Sequence, residues 1–236
     1  MQTDSKPSIP RGAEFHEQIA SNWGAGYAQG SFKQRLELFN SILDRSGVAG
    51  QRWLDLGCGS GVLTKELLAR GARVVALDGS PSMLEAARRS VDTTASELVA
   101  FRQGDVQDLS WSESGAFDGV LCSSVVEYVD APDELIRQVS RVLKAGGLLI
   151  ISMPPKRSLI RTWQKVSRFI YGLLGKDRHS YLAVSRFEID RGAVAGWLRG
   201  AGLRLEHVSG FDPILSSRAL KLFFPALLVC EARRLG

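Results

Sequence analysis

From residue 52 onward, short apolar runs alternate with stretches whose apolar residues recur every three or four positions. The first pattern marks strands and the second amphipathic helices. Strands are expected at Trp53 into the glycines after Leu56, Arg73–Asp78, Leu98–Gln103, Phe117–Cys122, Leu148–Met153, Leu203–Val208 and Ala226–Arg233. Helices are expected at Val62–Arg70, Ser82–Arg89, Asp133–Val142 and Asp190–Arg199, the last stopped by Gly200. The turn Lys144–Gly147 should precede the fifth strand, and the apolar run Leu222–Cys230, which contains Pro225, reads as a final buried strand. Ahead of them, Phe32, Leu36, Phe39 and Leu43 share one face of a helix over Ser31–Arg45. This order predicts an α/β fold: a doubly wound, mostly parallel seven-stranded sheet. Residues 1–46 would supply a tail and cap helices, and residues 47–236 the sheet domain, with a helical insert at 155–185.

The loop after the first strand carries the most chemistry. Residues 53–61 read Trp-Leu-Asp-Leu-Gly-Cys-Gly-Ser-Gly. Gly57, Gly59 and Gly61 allow a sharp turn and close approach of a ligand to the backbone. A dinucleotide fingerprint would need glycine at position 62, which is Val62. Asp55 would repel a pyrophosphate but suits an ammonium group. The second strand ends in Asp78 followed by Gly79, where a carboxylate can accept both hydroxyls of a ribose. Each acid taken alone also suits a helix cap or a turn. Together these residues resemble motif I and its sequel in the class I S-adenosylmethionine-dependent methyltransferases, a Rossmann-like family. The resemblance implies S-adenosylmethionine as cofactor, with Asp105 on the adenine amino group and the Val106 backbone N–H on a ring nitrogen. It extends the cofactor set to Cys58, Met83, Ser123 and Trp23. Arg35 either forks onto the cofactor carboxylate or is a solvated arginine.

Acceptor chemistry in such a sheet belongs at the carboxyl end of the fourth strand, here Cys122 to Val129. These residues, with Met153, Pro154 and the insert carrying Lys176, His179 and Tyr181, resemble the ubiquinone-biosynthesis O-methyltransferases over about residues 50–233. In that branch two glutamates and a histidine hold a divalent ion. The matching positions here are Ser124, Glu127 and Tyr128, so one carboxylate remains and no metal is expected. Methyl transfer to oxygen needs alignment and, for a hydroxyl, a proton acceptor. The candidates are His179 and Glu127, with His16 a weaker third; Glu127 could instead cap the turn after the strand. The expected activity is methylation of a small, hydrophobic or aromatic acceptor, foremost at oxygen. The alternatives are an N- or C-methyltransferase of a secondary metabolite or lipid, a noncatalytic cofactor-binding subunit, and an RNA or protein methyltransferase. An RNA-base enzyme is disfavoured because Ser123-Ser124-Val125-Val126 is no Asn/Asp-Pro-Pro-aromatic motif.

Composition narrows the partners. The net charge of the 236 residues is +5, yet residues 155–178 hold seven cations against one anion, so the rest of the chain sums to −1. Basicity confined to one segment argues against a nucleic-acid surface. In residues 157–174, Leu159, Trp163, Val166, Ile170 and Leu173 form an apolar stripe, widened by Ile160, Phe169 and Leu174, opposite Arg157, Arg161, Lys165 and Arg168. Such a helix suits two roles: a lid whose stripe covers the site, or contact of residues 156–178 with an anionic membrane surface. The polar first residues do not read as a signal peptide, and no run approaches the ~20 apolar residues of a membrane-spanning helix. Three cysteines, an odd number, fit reduced thiols in the cytoplasm, with peripheral contact at the inner face of a membrane if the insert docks.

Overall fold

The computed structural model describes residues 30–91, 93–156, 158–173, 185, 188–215, 221 and 224–236, together with Glu14 and Glu17. Its elements run α1 (Gly30–Arg45), β1 (Arg52–Leu56), α2 (Val62–Ala69), β2 (Arg73–Asp78), α3 (Pro81–Ser90), β3 (Val99–Gln103) and β4 (Phe117–Ser123). They continue with α4 (Pro132–Val142), β5 (Leu143–Met153), α5 (Leu159–Leu173), α6 (Arg191–Gly200), β6 (Leu203–Phe211) and β7 (Leu227–Arg234).

The seven strands form one sheet in the order β3-β2-β1-β4-β5-β7-β6. β1 pairs in parallel with both β2 and β4, whereas β7 runs antiparallel to β5 and β6. Strand order reverses between β1 and β4, and at such a switch point the outgoing loops diverge and leave a crevice. Alternate residues of β1 serve the two faces: Leu54 and Leu56 pack with Leu135 and Val139 of α4 and Val194 and Leu198 of α6. On the opposite face Trp53 packs with Phe39 and Leu43 of α1 and Leu63 and Leu67 of α2. Burial on both sides explains why the central strands read as nearly continuous apolar runs.

Two expectations need correction. Lys144–Gly147 is not a turn ahead of β5 but an irregularity inside it, because Phe117 pairs with Leu143 before the register shifts to Gly119 with Leu148. Gly146 takes φ +74° there, which accommodates the extra residues. The last strand begins at Leu227 rather than Leu222. Pro225 has no N–H to give a ladder, and the first bond on that side runs from Ala226 N to Phe211 O at 2.8 Å.

Candidate active site

The carboxyl ends of β1 to β4 open into a cleft of about 530 Å³. At the end of β1 the chain turns through Gly57, Gly59 and Gly61 with φ of +73°, +52° and +79°. The space saved by two of these glycines is taken by protein. A Cβ on Gly57 would lie 2.3 Å from Val125 Cγ2, and one on Gly61 would lie 2.9 Å from Ala87 Cβ. The loop is thus clamped between the β4 turn and α3.

Asp55 lies 2% exposed in the cleft wall, and its Oδ2 accepts a hydrogen bond from Thr64 Oγ1 at 2.6 Å. Burial pushes its pKa up to about 7, with the nearby Asp78 charge adding to the rise and the Thr64 bond opposing it. Asp78, at the end of β2, accepts Gly59 N at 2.8 Å and Ser80 N at 2.9 Å. These bonds tie the glycine loop to β2 and aim the carboxylate. Ser80 caps α3 by accepting Met83 N at 3.0 Å, so that helix begins one residue earlier than expected, at Pro81. The Glu17 carboxylate also reaches the Ser80 and Ser82 hydroxyls. Asp105 is held by Gln107 N on its Oδ1 at 2.9 Å and lines the cleft beside Val106.

On the β4 side, Arg35 Nη2 donates to both Ser123 Oγ and Ser124 Oγ, the latter at 2.9 Å. Its Nε is buried without a partner among the described residues. Ser124 adopts φ +55°, a left-handed conformation that non-glycine residues seldom take, and its N–H donates to Ser152 Oγ at 3.0 Å. Three residues on, Glu127 is 2% exposed, and its Oε2 has no hydrogen-bond partner among the described residues. Burial raises its pKa, opposed in part by its own backbone N–H, by the Arg161 and Arg35 guanidiniums and by Ser124.

The cleft therefore brings together Arg35, Asp55, Gly57, Cys58, Gly59, Asp78, Gly79, Met83, Asp105, Val106, Ser123 and Glu127. Trp23, His16, Lys176, His179 and Tyr181 lie outside the described residues. Thr64, Ser80, Ser152 and Glu17 escaped the sequence reading, since single hydroxyls and a remote acid carry no motif. The lid expectation for α5 is overturned in its orientation. Its apolar stripe faces outward, with Trp163 58%, Phe169 69% and Leu173 74% exposed. Of the wider stripe Ile160 lines the cleft, together with the polar Arg161 and Gln164.

Residues 54–151 match the methyltransferase domain family, and this stretch contains the glycine loop, the three strand-end acids and β4. The chain belongs to the class I S-adenosylmethionine-dependent methyltransferases, and S-adenosylmethionine is its cofactor. It is 36% identical over 177 residues to the ubiquinone biosynthesis O-methyltransferase of Xanthomonas oryzae pv. oryzae, covering 75% of this chain and 71% of that one. In fold it resembles a chain from the complex of the Haloferax volcanii Trm112 methyltransferase activator with a methyltransferase (TM-score 0.72, 19% identity, covering 94% and 98% of the two chains). It also resembles the magnesium protoporphyrin IX methyltransferase of Synechocystis PCC 6803, solved with bound S-adenosylhomocysteine (TM-score 0.66, 21% identity, 93% and 95% covered).

The residues present fit that cofactor. An enclosed carboxylate held near neutrality by burial becomes fully ionised once a cation lies against it, and this cofactor carries two positive centres. The divalent ion of the ubiquinone branch fits poorly. Glu127 is the lone carboxylate of the three matching positions, and the Ser124 hydroxyl is engaged by a guanidinium at 2.9 Å.

Proposed function

We propose that this enzyme methylates an oxygen of a small, lipid-soluble acceptor that it meets at an anionic membrane surface. The observation that carries the reading is α5, whose inner face walls the acceptor side of the cleft while its outer face offers Trp163, Phe169 and Leu173 to the surroundings. A soluble domain gains nothing by turning such a face to water, whereas a bilayer interface accepts aromatic and leucine side chains and nearby cations. Among the described residues no helix is long and apolar enough to cross a membrane. Contact of this kind would therefore be peripheral.

In this reading Asp55 takes the ammonium of the cofactor and Asp78 its ribose hydroxyls, while Asp105 and Val106 take the adenine. Arg35 and Ser123, bonded to each other in the cleft wall, serve the amino-acid carboxylate. Cys58, Gly59, Gly79 and Met83 shape the walls. When bound, the cofactor supplies an electrophilic methyl: an acceptor lone pair forms the O–CH₃ bond as the S–CH₃ bond breaks and its electrons stay on sulfur. The protein's part is to align that lone pair and remove the hydroxyl proton. Glu127 is the proton acceptor in the described cleft. Burial makes it a stronger base than an ordinary glutamate, and the two arginines keep its ionised form accessible. The likeness to the Xanthomonas ubiquinone biosynthesis O-methyltransferase supports oxygen as the acceptor atom.

Membrane contact has its own test. Cosedimentation with phosphatidylglycerol vesicles should be strong at low salt and weaken as salt screens charges over about 8–10 Å. Neutral phosphatidylcholine vesicles should bind less. Replacing Trp163 and Phe169 by Ser, or Arg168 by Gln, should release the protein from anionic vesicles without changing its affinity for S-adenosylhomocysteine. Equal binding to both vesicle types, or binding to neither, would remove the membrane from the account. A methyl-labelled cofactor incubated with lipid-soluble acceptors in the presence of EDTA tests the transfer itself.

A further inference from the structure

The charge of the cleft inverts from one side to the other. Asp55, Asp78 and Asp105 stand at the ends of β1, β2 and just beyond β3, on the side suited to a cationic cofactor. Across from them, beyond β4, the ionisable groups among the described residues include Glu127, Tyr128 and two guanidiniums, those of Arg35 and Arg161. Arg35 is already committed to Ser123 and Ser124. Arg161 is half-buried in the first turn of α5, with its backbone N–H on Ser158 Oγ at 3.3 Å. Its Nη1 donates to Ser185 Oγ at 3.1 Å. A guanidinium offers five N–H donors in a planar fork, so one side-chain bond to a hydroxyl, the one found among the described residues, steadies the group and leaves further donors to meet a ligand. Glu127 lines the same cleft within electrostatic reach of Arg161, and its buried Oε2 has no partner among the described residues. A buried polar atom of this kind is costly to leave unpaired, and Glu127 lines the same cleft as Arg161. The site that would hold a divalent cation in the resembling branch is here bordered by fixed cations. The Arg161 guanidinium is the place on this side where an anionic group of a ligand could bind.

We propose that Arg161 anchors a carboxylate of the methyl acceptor, making the acceptor class a lipid-soluble carboxylic acid that also bears the hydroxyl to be methylated. A planar guanidinium matches a carboxylate through two parallel N–H···O bonds, a geometry a lysine would not reproduce. Glu127, in the wall of the same cleft, remains the proton acceptor proposed above. The inference rests on O-methylation as proposed above and adds the recognition element that fixes the orientation of the acceptor.

Calorimetry on the protein loaded with S-adenosylhomocysteine tests it. The probes are 4-hydroxybenzoate and 3-hydroxydecanoate, each against its own methyl ester. At least one acid should bind about tenfold or more tightly than its ester, consistent with a charge-assisted pair. Arg161→Gln should abolish that preference, Arg161→Lys should restore only part of it, and affinity for S-adenosylhomocysteine should be the same in all three proteins. Esters that bind as well as the acids, no binding by either acid, or an acid preference that survives Arg161→Gln would overturn the anchor and leave methyl transfer to oxygen untouched. With labelled S-adenosylmethionine, label on the product should resist alkali because it sits on the ether oxygen. Alkali-labile label would mean that the carboxylate itself is methylated, which contradicts its role as a handle.

Discussion

Replacing Asp55 by Asn weakens S-adenosylmethionine binding by about ten- to a hundredfold, the loss expected when a hydrogen bond to a charged group worth roughly 1.5–3 kcal/mol is degraded. Asparagine keeps the shape of the side chain and an oxygen for the Thr64 hydroxyl, so the fold should persist and only the charge is removed. The pH dependence makes this result specific. Burial holds the Asp55 carboxyl near 7 in the protein without ligand, far above its ordinary value of 3.8. Because the folded pKa is raised, the native state holds the proton longer than the unfolded one. Asp55 therefore costs stability progressively as pH climbs from about 4 to about 7. A bound ammonium reverses that balance by favouring the ionised form. Wild-type affinity should consequently tighten as pH rises through about 7. It should decline again where the ligand's own α-amino group loses its proton, at roughly 7.7–8.0. The Asn variant should lose the acid-side limb and keep the alkaline one. Calorimetric titration across this range is the check, and a folded Asn variant with unchanged affinity would remove Asp55 from the cofactor's amino-acid moiety.

Glu127→Gln should lower kcat by about 10²–10⁴-fold, the usual contribution of a positioned general base. Glutamine fills the same buried volume, so cofactor affinity should be retained. Wild-type turnover should rise with pH through an apparent pKa above that of an ordinary glutamate, because burial favours the protonated form. Arg161→Gln removes one of the charges that oppose the shift, and should move that apparent pKa further up. A Glu127→Gln enzyme with wild-type kcat would assign proton removal to another group, His179 being the next candidate from the sequence.

Much of the cofactor side was legible before any coordinates. Strand ends betray themselves when an apolar run stops at an acid, as at Asp78, and a helix following Gly61 could start only at Val62. The burial of Asp55 follows from its place inside the apolar run Trp53–Leu56. What the sequence could not show is which neighbour occupies the space a glycine leaves: Val125 and Ala87 come from elements far along the chain. The orientation of α5 was hidden for a different reason. A helical stripe reveals which residues share a face, not whether that face meets the protein or its surroundings. The outward turn of Trp163 and the inward turn of Arg161 are tertiary facts. The same holds for Glu17, whose carboxylate reaches Ser80 across 63 residues. The departure from the metal-binding branch was legible, because Ser124 and Tyr128 stand where that branch has ligands. The competing guanidiniums came only with the fold.

The destination of the methyl group separates oxygen, nitrogen and carbon transfer. Incubating the enzyme with S-adenosylmethionine labelled on its methyl carbon, a lipid extract and EDTA should produce S-adenosylhomocysteine and a labelled lipid-soluble acid in equal amounts. Carbon–proton correlation of that product should place the label on an ether oxygen. Label on nitrogen or carbon, or turnover that EDTA abolishes and magnesium restores, would contradict metal-independent transfer to oxygen.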